Sequence, residues 1–150
     1  MTSVLLAACG GFLLAVLWMD LMFDVQTLRN RESPLPGPVL DSIAAYYRRV
    51  VKEASPMGRL VGVVMAVAVT TALAALLLGT VPRWAAGISL LLCAPPVLLA
   101  QMRIFPAAAR LGSQRDTPET QTRLAREICR DHLICLAAMT AFTALQLLVA

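Results

Sequence analysis

The sequence predicts an all-α fold: a polytopic membrane protein, an antiparallel bundle of four transmembrane helices with an amphipathic surface helix in the first cytoplasmic loop. Hydrophobic residues make up 59% of the 150 residues and charged residues 15%, against roughly 45–50% and 25% in soluble domains. The excess is gathered into four apolar runs, 4–23, 60–81, 84–102 and 133–150. Each is close to the ~20 residues that carry a helix across the hydrocarbon. The remaining charge is placed asymmetrically. Of the thirteen Lys and Arg, six lie between the first two runs (Arg29, Arg31, Arg48, Arg49, Lys52, Arg59) and six between the last two (Arg103, Arg110, Arg115, Arg123, Arg126, Arg130). Only Arg83 lies between the middle pair. With four spans, both basic connectors fall on one side, and the positive-inside bias makes that side cytoplasmic and turns both termini outward.

This length fits one integral membrane domain. The net charge of +4 then reads as topology determinants and lipid-headgroup contacts, with no nucleic-acid partner. The expected partner is the lipid bilayer of the cell (inner) membrane, with a membrane-protein partner or a homo-oligomer as further candidates.

Along the chain, Leu6-Ala7-Ala8-Cys9 resembles a lipoprotein processing box. Without a basic stretch before it, and with too short an apolar run, the segment is expected to be an uncleaved first span. Gly10-Gly11 offers close helix approach. Asp20 and Asp24 are four apart and so share a helix face near the inner end, and Trp18 suits an interface anchor. Pro34, Pro36, Gly37 and Pro38 form a turn-rich connector. Over 39–53, Ile43, Tyr46, Tyr47, Val50 and Val51 recur at helical spacing opposite Arg48, Arg49 and Lys52, the pattern of a helix lying on the inner surface.

Ser55-Pro56 opens the second span with proline in the tolerated first turn. Gly79-Thr80-Val81-Pro82 makes an outer hairpin. Pro95-Pro96 is expected to kink the third span and free backbone carbonyls, with Gln101-Met102-Arg103 at its inner end. Thr117-Pro118-Glu119 is a helix start, with a capping hydroxyl, proline at the first position and an acid near the positive helix end. Nothing breaks that helix afterwards, so it should project several turns beyond the hydrocarbon.

The four cysteines read as small apolar packing residues. Cys129, His132 and Cys135 follow at three-residue spacing on the fourth helix. Cys129 and Cys135 are too splayed to close on one ion with His132 from a single helix, so no metal is expected. The weaker alternative is a site of Asp20, Cys129 and His132.

This topology brings three inner helix ends together, giving ligand-binding candidates Asp20, Asp24, Gln101, Arg103, Glu127, Arg130 and His132. One reading is an ion-pair layer that fixes helix register. The other is a membrane-embedded site: Asp20 as a carboxyl with altered acidity, His132 as general base or ligand, Arg103 as anion holder. An intramembrane acid favours function at Asp20. The expected activity is binding of a small apolar or quinone-like ligand near the cytoplasmic leaflet, lined by Asp20, Arg103 and His132. The alternative is a non-catalytic subunit or assembly partner that docks a larger complex through small-residue faces such as those around Gly62 and Gly87.

Three stretches carry a family resemblance: the Gly-containing first span with its turn and short helix, Tyr46-Tyr47-Arg48-Arg49-Val50-Val51 leading to Pro56, and Pro96-Val97-Leu98-Leu99 followed by Pro106, Arg110-Leu111 and His132. Their order resembles the four-span DUF1772 family of anthrone oxygenase-like proteins. That resemblance implies the four-span fold and, as a further alternative, a membrane-bound oxygenase or oxidoreductase. Ser55, Ala107-Ala108 and Cys135 stand where the family pattern carries Asn, Asn and Arg.

Overall fold

The computed structural model describes residues 1–53 and 55–150. Helix α1 (Thr2–Asp24) continues after Val25 into a short α2 (Gln26–Arg29). The connector leads to α3 (Gly37–Arg48) and a π-helical turn, Arg49–Glu53. Then come α4 (Ser55–Leu78), α5 (Arg83–Leu99), a second π turn (Ala100–Ile104), α6 (Phe105–Ser113) and α7 (Pro118–Leu148). No strand occurs among the described residues.

Four stretches, Thr2–Arg29, Pro56–Leu78, Arg83–Ser113 and Pro118–Leu148, are long and apolar enough to cross a membrane. Only 22% to 33% of each apolar window is buried inside the protein, so most of the apolar surface faces outward. Large side chains such as Leu77, Leu91, Met102 and Leu148 are among the exposed ones.

Helix α1 packs against α7 and α4, α4 against α5, and α5 against α7, closing a ring of four. One core lies within this ring, built on Leu6, Leu13, Val61, Cys93, Met139 and Phe142. Gly10 is the close approach expected of the first span: a Cβ there would strike Thr143 and press on the Phe142 ring. Gly11, Gly62 and Gly87 instead face open space. Where α5 meets α7, buried Gln146 donates from Nε2 to Ser89 Oγ at 2.7 Å. Such interhelical side-chain bonds hold helices together where no water competes.

A second core lies under α3, where Leu40, Ile43 and Tyr47 meet Ala108, Leu111, Ala125 and Ile128. Helix α3 begins at Gly37, two residues before the expected start, and its apolar face is buried against α6 and α7 instead of resting on a surface. The reason is α6, a helix beyond the expected end of the third span. The third long helix does not end at Met102. It passes through Pro95 and Pro96 unbroken, takes a π turn at Ala100–Ile104 and runs on to Ser113. Wide turns absorb a disturbed i→i−4 ladder without ending the helix. Gly112 lets α3 lie directly on α6, since a Cβ there would come within 2.7 Å of the Arg48 amide nitrogen.

Helix α7 starts as expected. Thr117 Oγ1 accepts from the Thr120 amide, and Pro118 and Glu119 occupy the first turn. Its 31 residues give roughly 46 Å, so it reaches past the ring. There it holds the connector: the Leu35 amide donates to Thr122 Oγ1 at 2.9 Å, and Arg126 donates to the Glu32 carbonyl at 2.6 Å.

Candidate functional site

Asp20 and Asp24 lie one helical turn apart on α1 and face α3 and α7. Asp24 is fully buried. Its Oδ2 is 2.6 Å from His132 Nδ1 on α7, and its Oδ1 accepts from the Tyr47 hydroxyl on α3 at 2.7 Å. Asp20 Oδ1 accepts from the Tyr46 hydroxyl at 2.6 Å. Asp20 Oδ2 lies 3.7 Å from His132 Nε2. The site is therefore two carboxylates, two phenols and one imidazole, contributed by three helices.

Adjacent residues on a helix point about 100° apart, so Tyr46 and Tyr47 can both meet acids on one face of α1 only if α3 crosses its end. The rings confirm the crossing: Tyr46 stacks on Phe23 of α1 with centroids 4.1 Å apart, and Tyr47 meets Tyr46 edge-on at 5.2 Å. Burial pushes both tyrosine hydroxyls well above their ordinary range, and the neighbouring carboxylates push the same way. Both stay neutral donors.

A hydrogen bond from Nδ1 fixes the tautomer of a neutral ring and leaves Nε2 as the acceptor. His132 and Asp20 line a partly open cavity of about 60 Å³ between α1, α4, α5 and α7. Its walls are otherwise apolar, among them Leu17, Met65, Pro96, Ala100 and Met139. The π turn at Ala100–Ile104 forms one wall. The 3.7 Å separation of Nε2 from Asp20 is too long for a hydrogen bond, so both atoms remain available to a third group. The arrangement can orient an imidazole, take up or give a proton at Nε2, and bind an oxygen-bearing head group at the end of an apolar slot.

The other candidates lie apart from this cavity. Arg103 pairs with buried Asp131 at 3.2 Å, and Arg130 holds the same carboxylate at 3.1 Å. That is an ion-pair clamp between the π turn and α7, so Arg103 is not an anion holder in the cavity. Gln101 is exposed. Glu127 and Arg130 line a separate polar groove with Arg123 and Arg126. Of the seven ligand candidates, Asp20, Asp24 and His132 come together.

Among the described residues, no three of His, Cys, Asp and Glu converge as a metal set. Asp24 bonds Nδ1 of His132 while Asp20 stands 3.7 Å from Nε2, and Cys129 does not converge with them. The Asp20, Cys129, His132 set is therefore not assembled. All four cysteines are buried and unbridged.

Tyr46 and Tyr47 are the site residues that sequence reasoning missed, taken there as apolar residues of a surface helix. The available signal was compositional: they are the only two tyrosines of the chain, adjacent, and carried by the helix that follows the paired acids. Comparison with family models, with curated proteins and with solved structures finds no match.

Proposed function

We propose that this protein is a multi-pass membrane protein, an antiparallel four-span bundle with both termini outside and its basic connectors in the cytoplasm, that binds a small apolar or quinone-like ligand in the α1–α4–α5–α7 cavity. The outward-facing apolar surface of four long helices supports the membrane setting, since a soluble monomer rarely exposes a contiguous apolar patch beyond a few hundred Å².

One observation carries the ligand reading. The Asp24–His132 bond of 2.6 Å spends Nδ1 on orientation and presents Nε2 to an otherwise apolar cavity. A register-fixing layer pairs acids with arginines, as Asp131 does with Arg103 and Arg130. Among the described residues, Asp20 and Asp24 have no arginine or lysine partner. They are held by phenols and an imidazole, groups that can rearrange protons without leaving a bare charge. A ligand hydroxyl that donates to Nε2 or to Asp20 Oδ2 completes the network, a ligand carbonyl does so by accepting from whichever of the two carries a proton, and an apolar tail leaves through the open side of the cavity.

The test is thermal stabilisation of the detergent-purified protein by a short-chain ubiquinone. Wild type is expected to be stabilised in a concentration-dependent way, and Asp20→Asn and His132→Gln to lose that response. An unchanged response in both variants argues against the cavity as the binding site.

A second reading, a non-catalytic subunit of a larger membrane complex, is favoured by one observation. Gly62 on α4 and Gly87 on α5 meet nothing within the chain, so small-residue faces suited to close helix contact stay uncovered. Stoichiometric co-purification of a larger membrane protein supports it. A lone monodisperse chain extracted in mild detergent argues against it.

A further inference from the structure

A groove of about 440 Å³ lies between α2 with the two residues that follow it and a face of α7. Its lining includes Arg31, Arg126 and Arg130, together with Asn30 and the exposed apolar side chains of Leu28 and Leu133. Among the described residues, no carboxylate lines it. We propose that this groove binds an acidic phospholipid, its phosphate between the three guanidinium groups and its acyl chains against Leu28 and Leu133.

Two of the arginines are held in place by contacts that leave their charge largely unanswered. Arg126 donates to a backbone carbonyl, that of Glu32, at 2.6 Å. Arg130 donates through Nε and Nη2 to Asp131 at 3.2 and 3.1 Å, but that carboxylate is shared with Arg103. Arg31 makes no ion pair among the described residues. The result is oriented guanidinium donors with a surplus of positive charge, which suits bidentate recognition of phosphate. The neighbouring groove shares Arg126 and Arg130 but adds Glu119 and Glu127, whose charge repels an anion. The acid-free groove is therefore the anion site.

Position selects a lipid over a soluble phosphate. Leu133 opens the charge-free run 133–150, and Ile134 on α7 and Met22 near the end of α1 are exposed close by in sequence. The cations thus stand where the apolar part of α7 begins, the level of the headgroups, with acyl-compatible side chains among them. Net cationic lining favours an acidic over a zwitterionic headgroup. The inference rests on the membrane reading but not on the cavity ligand.

The test uses the full chain, delipidated in dodecyl maltoside, with native mass spectrometry reading bound lipid. Dioleoyl phosphatidylglycerol is expected to remain bound where dioleoyl phosphatidylcholine does not, and inorganic phosphate alone should give no thermal stabilisation. The double variant Arg31→Gln/Arg126→Gln is expected to weaken phosphatidylglycerol binding about thirtyfold. Arg115→Gln/Arg123→Gln, with the same loss of charge outside the groove, should keep wild-type binding. The tyrosine titration described below verifies that both variants are folded. Equal loss in both double variants, equal binding of the two lipids, or full stabilisation by inorganic phosphate overturns the proposal. Failure of the membrane reading shows separately, as a chain that stays in the aqueous phase after detergent-free lysis.

Discussion

His132 Nδ1 and Asp24 Oδ2 lie 2.6 Å apart across 108 positions of sequence, and both side chains are buried. That bond joins α1 to α7, and Tyr47 closes it from α3. Removing either partner leaves a buried polar group unanswered, which costs more than the bond contributes. Asp24→Ala is expected to destabilise by roughly 2–5 kcal/mol, because it orphans both His132 and Tyr47. His132→Leu should cost less, since Asp24 keeps Tyr47. In a double-mutant cycle the coupling is expected at roughly 0.5–3 kcal/mol, read from SDS-induced unfolding in bicelles. Strict additivity of the two single variants contradicts a direct bond.

The two tyrosines of this chain both sit on the acids, so tyrosinate absorbance at 295 nm reports the site alone. Both hydroxyls are raised above the ordinary value of 10.0, first by burial and then by the carboxylates. A group raised in the folded state stabilises fully below its unfolded value, and the contribution is lost as pH climbs toward the folded one. Folded protein should therefore show no tyrosinate at a pH near 11, and stability should begin to fall above pH ~10. After unfolding, both tyrosines should titrate near 10. A folded-state midpoint close to 10 places the hydroxyls in water and removes them from the site.

Gly112 sets the height of α3 over the acids. A Cβ would meet Arg48 N at 2.7 Å and Arg48 Cα at 3.0 Å, both backbone atoms that cannot swing aside. Gly112→Ala is expected to lift α3, cost roughly 1–3 kcal/mol, and bring the tyrosine midpoints down toward 10. Gly62→Ala, in open space, should leave the titration unchanged and match or slightly exceed wild-type stability, as helix propensity favours alanine. If both variants behave alike, the close crossing of α3 and α6 does not hold the phenols in place.

Much of this architecture was legible in the sequence because lipid-scale helices are written redundantly. Each apolar run is about twenty residues long, and Thr117-Pro118-Glu119 announces the start of α7 unaided. Asp20, Asp24 and His132 were legible as a group because acids and an imidazole beside apolar runs have few low-cost partners. What stayed hidden depends on contacts between elements. Helix α6 was lost because Gln101-Met102-Arg103 looks like a span end, and a π turn leaves no residue signature there. Tyr46 and Tyr47 carry a polar tip on an apolar body, so periodicity counts them as apolar and says nothing of the hydroxyls. Arg103 reads from the sequence as an anion holder of the ligand site because sequence gives its depth but not its direction. Asp131, across on α7, takes it.

The arginine pairing gives a prediction of opposite character to that for Asp24. The Arg103 and Arg130 side chains remain 50% and 59% exposed while they clasp Asp131. Either can return to water when its partner is lost. Arg103→Gln leaves Asp131 with Arg130 and should cost no more than about 1 kcal/mol. It should leave both the tyrosine titration and the quinone response intact. Loss of the quinone response in Arg103→Gln would return this arginine to the cavity.

Occupancy of the cavity can be separated from the polar groups at its end. Ala100 is buried in the π turn and lines the slot, and Cys135 lines it from α7. Ala100→Leu adds three carbons to a space of about 60 Å³. Asp20, Asp24 and His132 keep their partners, because none of their bonds involves Ala100. The expected outcome is loss of quinone-dependent stabilisation with an unaltered tyrosine titration, at an overpacking cost of roughly 1–3 kcal/mol. Cys135→Ala works in the other direction. It removes the sulfur, whose only hydrogen bond among the described residues is a long one of 3.9 Å to the Pro96 carbonyl, and enlarges the slot. Basal stability should fall, as for any deletion in a packed core, while the quinone response survives and extends to bulkier ring substituents. A wild-type quinone response in Ala100→Leu, with the titration unchanged, means that the ligand does not enter between α1, α4, α5 and α7. The imidazole and acids would then face a space that nothing uses, and the His132–Asp24 bond would be a structural tie like the one at Asp131.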